Sequence, residues 1–149
     1  MDCHTDVIFV LDESVSVGSE NFKRMRSFVL ELVGTLDIDS GNTRVGVMTY
    51  SSDVGTVINM NMHSSVAGLQ SAISSLNYSA GATNTAAALA YVRTGMLTSA
   101  AGDRSDVPNV VVVLTDGLST APTTTQVSIS IKFTEVFLSV VEFEIYYDK

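Results

Sequence analysis

Two unbroken apolar runs limit what this chain can fold into more than any other feature. Asp6-Val-Ile-Phe-Val-Leu11 and Val110-Val-Val-Val-Leu114 show no alternation with polar residues. A strand made from either must be covered on both faces. Such sheets carry helices above and below, and the stretch between the two runs has helical spacing in three places.

Beyond Ser19, residues Phe22, Met25, Val29, Leu32, Val33 and Leu36 fall on one helical face. Ser19 is the expected N-cap, with Glu20 in the first turn, where it suits the helix dipole. Asp39-Ser-Gly-Asn42 marks a turn, Arg44 to Tyr50 a second strand and Val54 to Ile58 a third. The short Ser51-Ser-Asp53 link predicts a hairpin, so the third strand runs antiparallel to the second. Val66, Leu69, Ile73 and Leu76 predict a short helix. Thr85 to Leu97, with Leu89, Val92 and Met96 on one face, predicts another. The expected class is α/β: a doubly wound, mostly parallel sheet with one antiparallel edge strand and helices on both faces.

The 149 residues fit one domain, 1–149, and an apolar content of 46% suffices for its core. A formal charge of −8 makes nucleic acid a poor partner, because that affinity rests on Lys and Arg. No apolar run reaches the roughly 18 residues that a membrane span requires. After Gly117 the pattern loses clarity. Val127, Ile129, Ile131 and Phe133 alternate as in a strand, yet Ile129, Phe133, Val136, Phe137 and Val140 also share a helical face. Periodicity does not choose between them. Glu142-Phe-Glu-Ile-Tyr-Tyr147 alternates clearly and predicts a strand. The apolar, β-rich stretch Gln126 to Lys149 is expected to pack poorly and to aggregate.

Three polar clusters fall where ligands bind in open α/β sheets, beyond the carboxyl ends of strands. The first strand runs into Asp12-Glu-Ser14-Val-Ser16, and the last apolar strand into Thr115-Asp116-Gly117. Between them, Gly81-Ala-Thr83-Asn-Thr85 opens a helix. If the two apolar strands are neighbours, the clusters converge. Ser14, Ser16 and Thr83 offer neutral hydroxyl oxygens, and Asp12 and Asp116 supply negative charge. That set suits a hard cation such as Mg²⁺, with Mn²⁺ and Ca²⁺ as alternatives. A cation with so few direct anionic ligands stays electrophilic and accepts a further carboxylate from outside.

Asp12-x-Ser14-x-Ser16 after an apolar strand, a Gly-x-Thr-Asn-Thr loop and a strand ending in Thr-Asp-Gly resemble a known constellation. It is the metal-ion-dependent adhesion site of von Willebrand factor type A domains. The resemblance runs from about Asp6 to Gly117, and residues 118–149 are atypical. It implies that Ser14 and Ser16 bind the metal directly, and Thr83 directly or through water. Asp12 and Asp116 would act through bridging waters. The resemblance also implies a non-enzymatic adhesion or matrix-binding module that captures a Glu or Asp of a protein ligand, collagens among them. Only 33 residues follow Asp116, fewer than the family's remaining helices and strands require, so its closing elements are expected to be missing. In secreted relatives an early cysteine often pairs with one beyond the last helix, and the lone Cys3 fits the loss of that end.

Other readings are weaker. A haloacid dehalogenase–like phosphotransferase needs a second Asp two positions after the first, and that position is Ser14. Neither G-x-G-x-x-G nor a G-x-S-x-G elbow occurs. His4 and His63 lack a partner at ligand spacing. Glu13 is expected to face solvent or a neighbouring loop, and Asp103-Arg-Ser-Asp106 to be a solvated loop. Asn77-Tyr-Ser79 is an N-glycosylation sequon, meaningful in a secreted protein. The start Met-Asp-Cys-His-Thr-Asp carries no secretory signal. That leaves two settings: a fragment of a longer extracellular chain, or an intracellular type A domain acting as scaffold in a multiprotein assembly.

Overall fold

A computed structural model describes residues 4–116 and 136–142. Five strands form one sheet in the order β3-β2-β1-β4-β5. They are β1 (Thr5–Asp12), β2 (Thr43–Tyr50), β3 (Val54–Ile58), β4 (Asn109–Thr115) and β5 (Val136–Glu142). β1 is central and pairs in parallel with both β2 and β4. β3 runs antiparallel to β2 at the edge, and β5 runs parallel to β4. This is the doubly wound arrangement expected from the two apolar runs.

Alternation along β1 divides the core. Val7, Phe9 and Leu11 pack with Phe22, Met25, Val29 and Val33 of α1 (Gly18–Val33) and with Leu69 and Ile73 of α2 (Val66–Ser74). Ile8 and Val10 point to the other face and pack with Ala88 and Leu89 of α3 (Thr85–Tyr91), and with Val92 and Met96. Every one of these side chains is buried, which is why β1 tolerates no polar residue between Val7 and Leu11.

Several expectations need correction. α1 starts at Gly18, one residue before Ser19, and Val17 stands at its N-cap with no side-chain cap. Val17 is 2% exposed, so packing rather than a capping hydroxyl sets the helix entry. The helix expected over Thr85–Leu97 is regular only to Tyr91 and then widens into a π turn, Val92–Met96. Leu97 N–H bonds the carbonyl of Val92 at 2.8 Å across that turn. Val92 and Met96 both remain on the sheet-facing side through this turn and are fully buried. Val136–Glu142 is a strand, which overturns the helical alternative there, because the run pairs with β4 from Asn109 to Thr115. The alternation of Val127 to Phe133, the strand expected beyond Glu142, the poor packing of the rest of the tail, the missing closing elements and Cys3 lie outside the described residues.

The loop at 103–106 is not simply solvated. Asp6, 0% exposed, receives the backbone N–H of Arg104 at 2.9 Å, its Nε at 2.8 Å and an Nη at 2.6 Å. The same guanidinium donates to the carbonyls of Thr5, Gly41 and Asn42. One side chain therefore ties the amino end of β1 to the turn before β2.

Candidate metal centre

At the opposite, carboxyl end of β1, the chain makes an Asx turn: Ser14 N–H donates to Asp12 Oδ1 at 2.9 Å. This folds the loop back so that Ser14 Oγ and Ser16 Oγ lie 3.0 Å apart. Ser14 is buried and Ser16 exposed, so the pair spans from the sheet end to the surface. Val15, between them, is 66% exposed and gives the rim an apolar side chain.

The register of β1 and β4, with Leu11 opposite Leu114, sets Thr115 and Asp116 beside Asp12. Thr115 Oγ1 donates to Asp12 Oδ2 at 2.7 Å. Burial is the main influence on the Asp12 carboxyl and raises it above its ordinary value, with the charge of Asp116 adding to the rise. Hydrogen bonds from Ser14 and Thr115 oppose that rise without cancelling it.

The third cluster reaches the same place through its backbone. Val15 N–H donates to the carbonyl of Gly81 at 2.9 Å, and Asn84 N–H to that of Ser51 at 2.8 Å. Gly81 has φ +138°, and a Cβ there would lie 2.8 Å from Ser51 Oγ, so only glycine lets the loop come this close. Thr83, 4% exposed, sits within this docked loop, directly before the N-cap Asn84 of α3. Asp12, Ser14, Ser16, Thr83 and Asp116 thus belong to three loops joined at one end of the sheet. Among the described residues no three His, Cys, Asp or Glu side chains gather as a metal cluster. Hydroxyl oxygens are the distinctive donors here.

Two supporting residues, Tyr50 and Tyr78, escaped the sequence reading, and two more, Thr115 and Glu13, hold the site more closely than it specified. Tyr50 pairs with Asp12 across β1 and β2, and its hydroxyl lies 3.5 Å from Asp12 Oδ2 and 3.2 Å from Thr85 Oγ1. Burial and the nearby Asp12 charge push that phenol upward, keeping it a proton donor. Its position at the end of a strand beside β1 was the available signal. Tyr78 donates to the carbonyl of Ser14 at 3.1 Å and packs on Phe22, ring centroids 5.9 Å apart. Thr115 was read only as part of a motif. Glu13 takes the second of its two expected settings, against neighbouring segments rather than in solvent: it is 3% exposed and hydrogen-bonds Ser79 and Thr49. A Cβ on Gly55 would lie 2.5 Å from Glu13 Oε1, so a bare backbone in β3 makes room for this carboxyl.

The family model of the von Willebrand factor type A domain matches residues 6–147. The collagen alpha-4(VI) chain of Mus musculus is 34% identical over 116 residues, covering 76% of this chain and 5% of that one. The solved structure of proximal thread matrix protein 1 from the mussel byssus superposes with a TM-score of 0.86 at 26% identity. It covers 95% of this chain and 37% of that one. A second structure of the byssus protein, described with a zinc-occupied MIDAS motif, has a TM-score of 0.80 at 24% identity and shares the fold. It covers 94% of this chain and 36% of that one. This chain therefore spans a small part of the length of each relative.

Proposed function

Because the chain belongs to the von Willebrand factor type A domain family, we propose that it is a non-enzymatic protein-binding module, holding one divalent cation and presenting it to a partner's carboxylate. The observation that carries this reading is the Ser14–Ser16 hydroxyl pair, 3.0 Å apart, beside a buried Asp12. Adjacent oxygens of an octahedron with metal–oxygen distances of about 2.1 Å lie about 3.0 Å apart. The two hydroxyls hydrogen-bond each other at this distance, and the same oxygens can turn to a hard cation, with Mg²⁺, Mn²⁺ and Ca²⁺ all suited to them.

Ser14 and Ser16 hold the cation through their hydroxyls, and Thr83 contributes directly or through water. Asp12 has Oδ1 engaged by Ser14 N–H and Oδ2 by Thr115 and Tyr50, so its charge acts across bridging waters. Asp116 contributes charge in the same way. When bound, the cation supplies an electrophilic centre for an external carboxylate oxygen. The kinship with a collagen chain supports a matrix protein as partner and an extracellular setting.

The direct test is capture on immobilised collagens and other matrix proteins. Binding is expected with Mg²⁺ or Mn²⁺, to vanish with chelator, and to fall at least about tenfold in Asp116→Ala. Zinc belongs among the cations tried, given the byssus structure. Capture indifferent to chelator would reject the proposal.

A pH dependence follows. The folded Asp12 holds its proton above the ordinary aspartate value, so protonation favours the cation-free protein and competes with metal. Mn²⁺ affinity is expected to weaken as pH falls, beginning above the range where an exposed aspartate titrates. Affinity unchanged down to that range would contradict this.

A further inference from the structure

The sequon Asn77-Tyr78-Ser79 is the chain's single acceptor sequence for N-linked sugar, and the site described above does not use its asparagine. Residues 76–80 lie between α2 and α3, outside any helix or strand. Inward and outward residues alternate along this segment. Leu76 is 2% exposed, and its carbonyl accepts from Arg26 at 2.7 Å. Tyr78 turns inward to Phe22 and to the carbonyl of Ser14. Asn77 and Ser79 are exposed. Among the described residues no hydrogen bond engages the Asn77 amide. The asparagine that would take the sugar is therefore exposed on a backbone pinned on either side, while the Ser79 hydroxyl bonds the Glu13 carboxyl in the folded domain.

We propose that Asn77 is N-glycosylated and that its glycan stands at the rim of the cation site, one residue from the tyrosine that holds Ser14. The inference rests on the extracellular setting proposed above. In the transfer, Asn77 Nδ2 attacks the anomeric carbon of a lipid-pyrophosphate-linked oligosaccharide. The carbon–nitrogen bond forms, the carbon–oxygen bond to pyrophosphate breaks, and the lipid pyrophosphate leaves with the electron pair. Nδ2 gives up one proton to a base of the transferase. A partner bringing a carboxylate to Ser14 and Ser16 meets this sugar at the rim.

The chain is to be expressed behind a signal peptide in eukaryotic cells and treated with peptide N-glycosidase, which converts a sugar-bearing asparagine to aspartate. The expected result is a mass loss with Asn77 converted. Asn77→Gln and Ser79→Ala should abolish the modification, and Ser79→Thr should retain it. Asn77→Gln, at an exposed position, should leave the melting temperature within about 2 °C. Wild-type protein recovered from the medium, or from the secretory compartments if release is slow, with Asn77 unmodified would overturn the inference. Mn²⁺ titration of the same protein reads the cation site separately: normal binding with a bare Asn77 removes only this inference. Glycosylated protein that binds no cation removes the proposed function and leaves the modification standing.

Discussion

Arg104→Ala is expected to destabilise the domain by about 3–5 kcal/mol, the cost of stranding a buried charge. Asp6 has no exposure to water, and Arg104 supplies three of its hydrogen bonds, two of them from the guanidinium. The substitution leaves the backbone bond but removes both charged ones. It also strips a donor from each of the carbonyls of Thr5, Gly41 and Asn42. Asp6 opens the central strand, so the loss reaches both flanking strands through the β1 register. For a domain of this size the melting temperature should fall by roughly 6–20 °C. Adding Asp6→Asn should recover part of the loss, because an amide is cheaper to bury than an unpaired carboxylate. Denaturant unfolding of the single and double variants measures both effects. A loss under about 1 kcal/mol for Arg104→Ala would place the pair with ordinary surface bridges.

The second large effect concerns the hydroxyl pair. Ser14→Ala with Ser16→Ala removes two oxygens and adds no bulk, and should abolish Mg²⁺ or Mn²⁺ binding within the range calorimetry reads. The fold should survive. Ser14's backbone bonds, N–H to Asp12 and carbonyl from Tyr78, are kept by alanine, and the loss is limited to its hydroxyl's bonds to the Asp12 carboxyl and to Ser16. Ser16 is exposed, and its hydroxyl bonds that of Ser14. Loss of cation binding with a melting temperature near that of the wild type separates a ligand role from a structural one. Unchanged cation affinity in the double variant would reject the assignment of these two residues.

What could be read in advance follows from the range of each interaction. The central strand and β4 were legible because each is an unbroken apolar run, buried on both faces in β1, and in β4 buried at Val111 and Val113 with Val110 and Val112 partly covered on the other face. The meeting of the three site loops was legible because strand ends in a doubly wound sheet share an edge. The Asp6–Arg104 pair was not, since it joins residues 98 positions apart and the loop around Arg104 looks merely polar. Glu13 was left between solvent and a neighbouring loop for a related reason: a carboxyl between Asp12 and Ser14 carries no mark of the space that Gly55 opens in β3. The π turn at Val92–Met96 was not legible, because the apolar spacing of Leu89, Val92 and Met96 suits a regular helix equally well. In Val136–Glu142, β-branched and large apolar residues suit a strand and a helix alike, and pairing with β4 decides.

The central claim is that hydroxyls and acids from three loops surround one cation. Crystals grown with Mn²⁺ test it most directly, because anomalous scattering locates the metal without reference to any binding assay. The account predicts one strong peak at the carboxyl end of β1, in contact with the hydroxyls of Ser14 and Ser16. The carboxylates of Asp12 and Asp116 should stand one water away. Absence of a peak there at saturating Mn²⁺, or a metal held only by groups elsewhere on the domain, would contradict it.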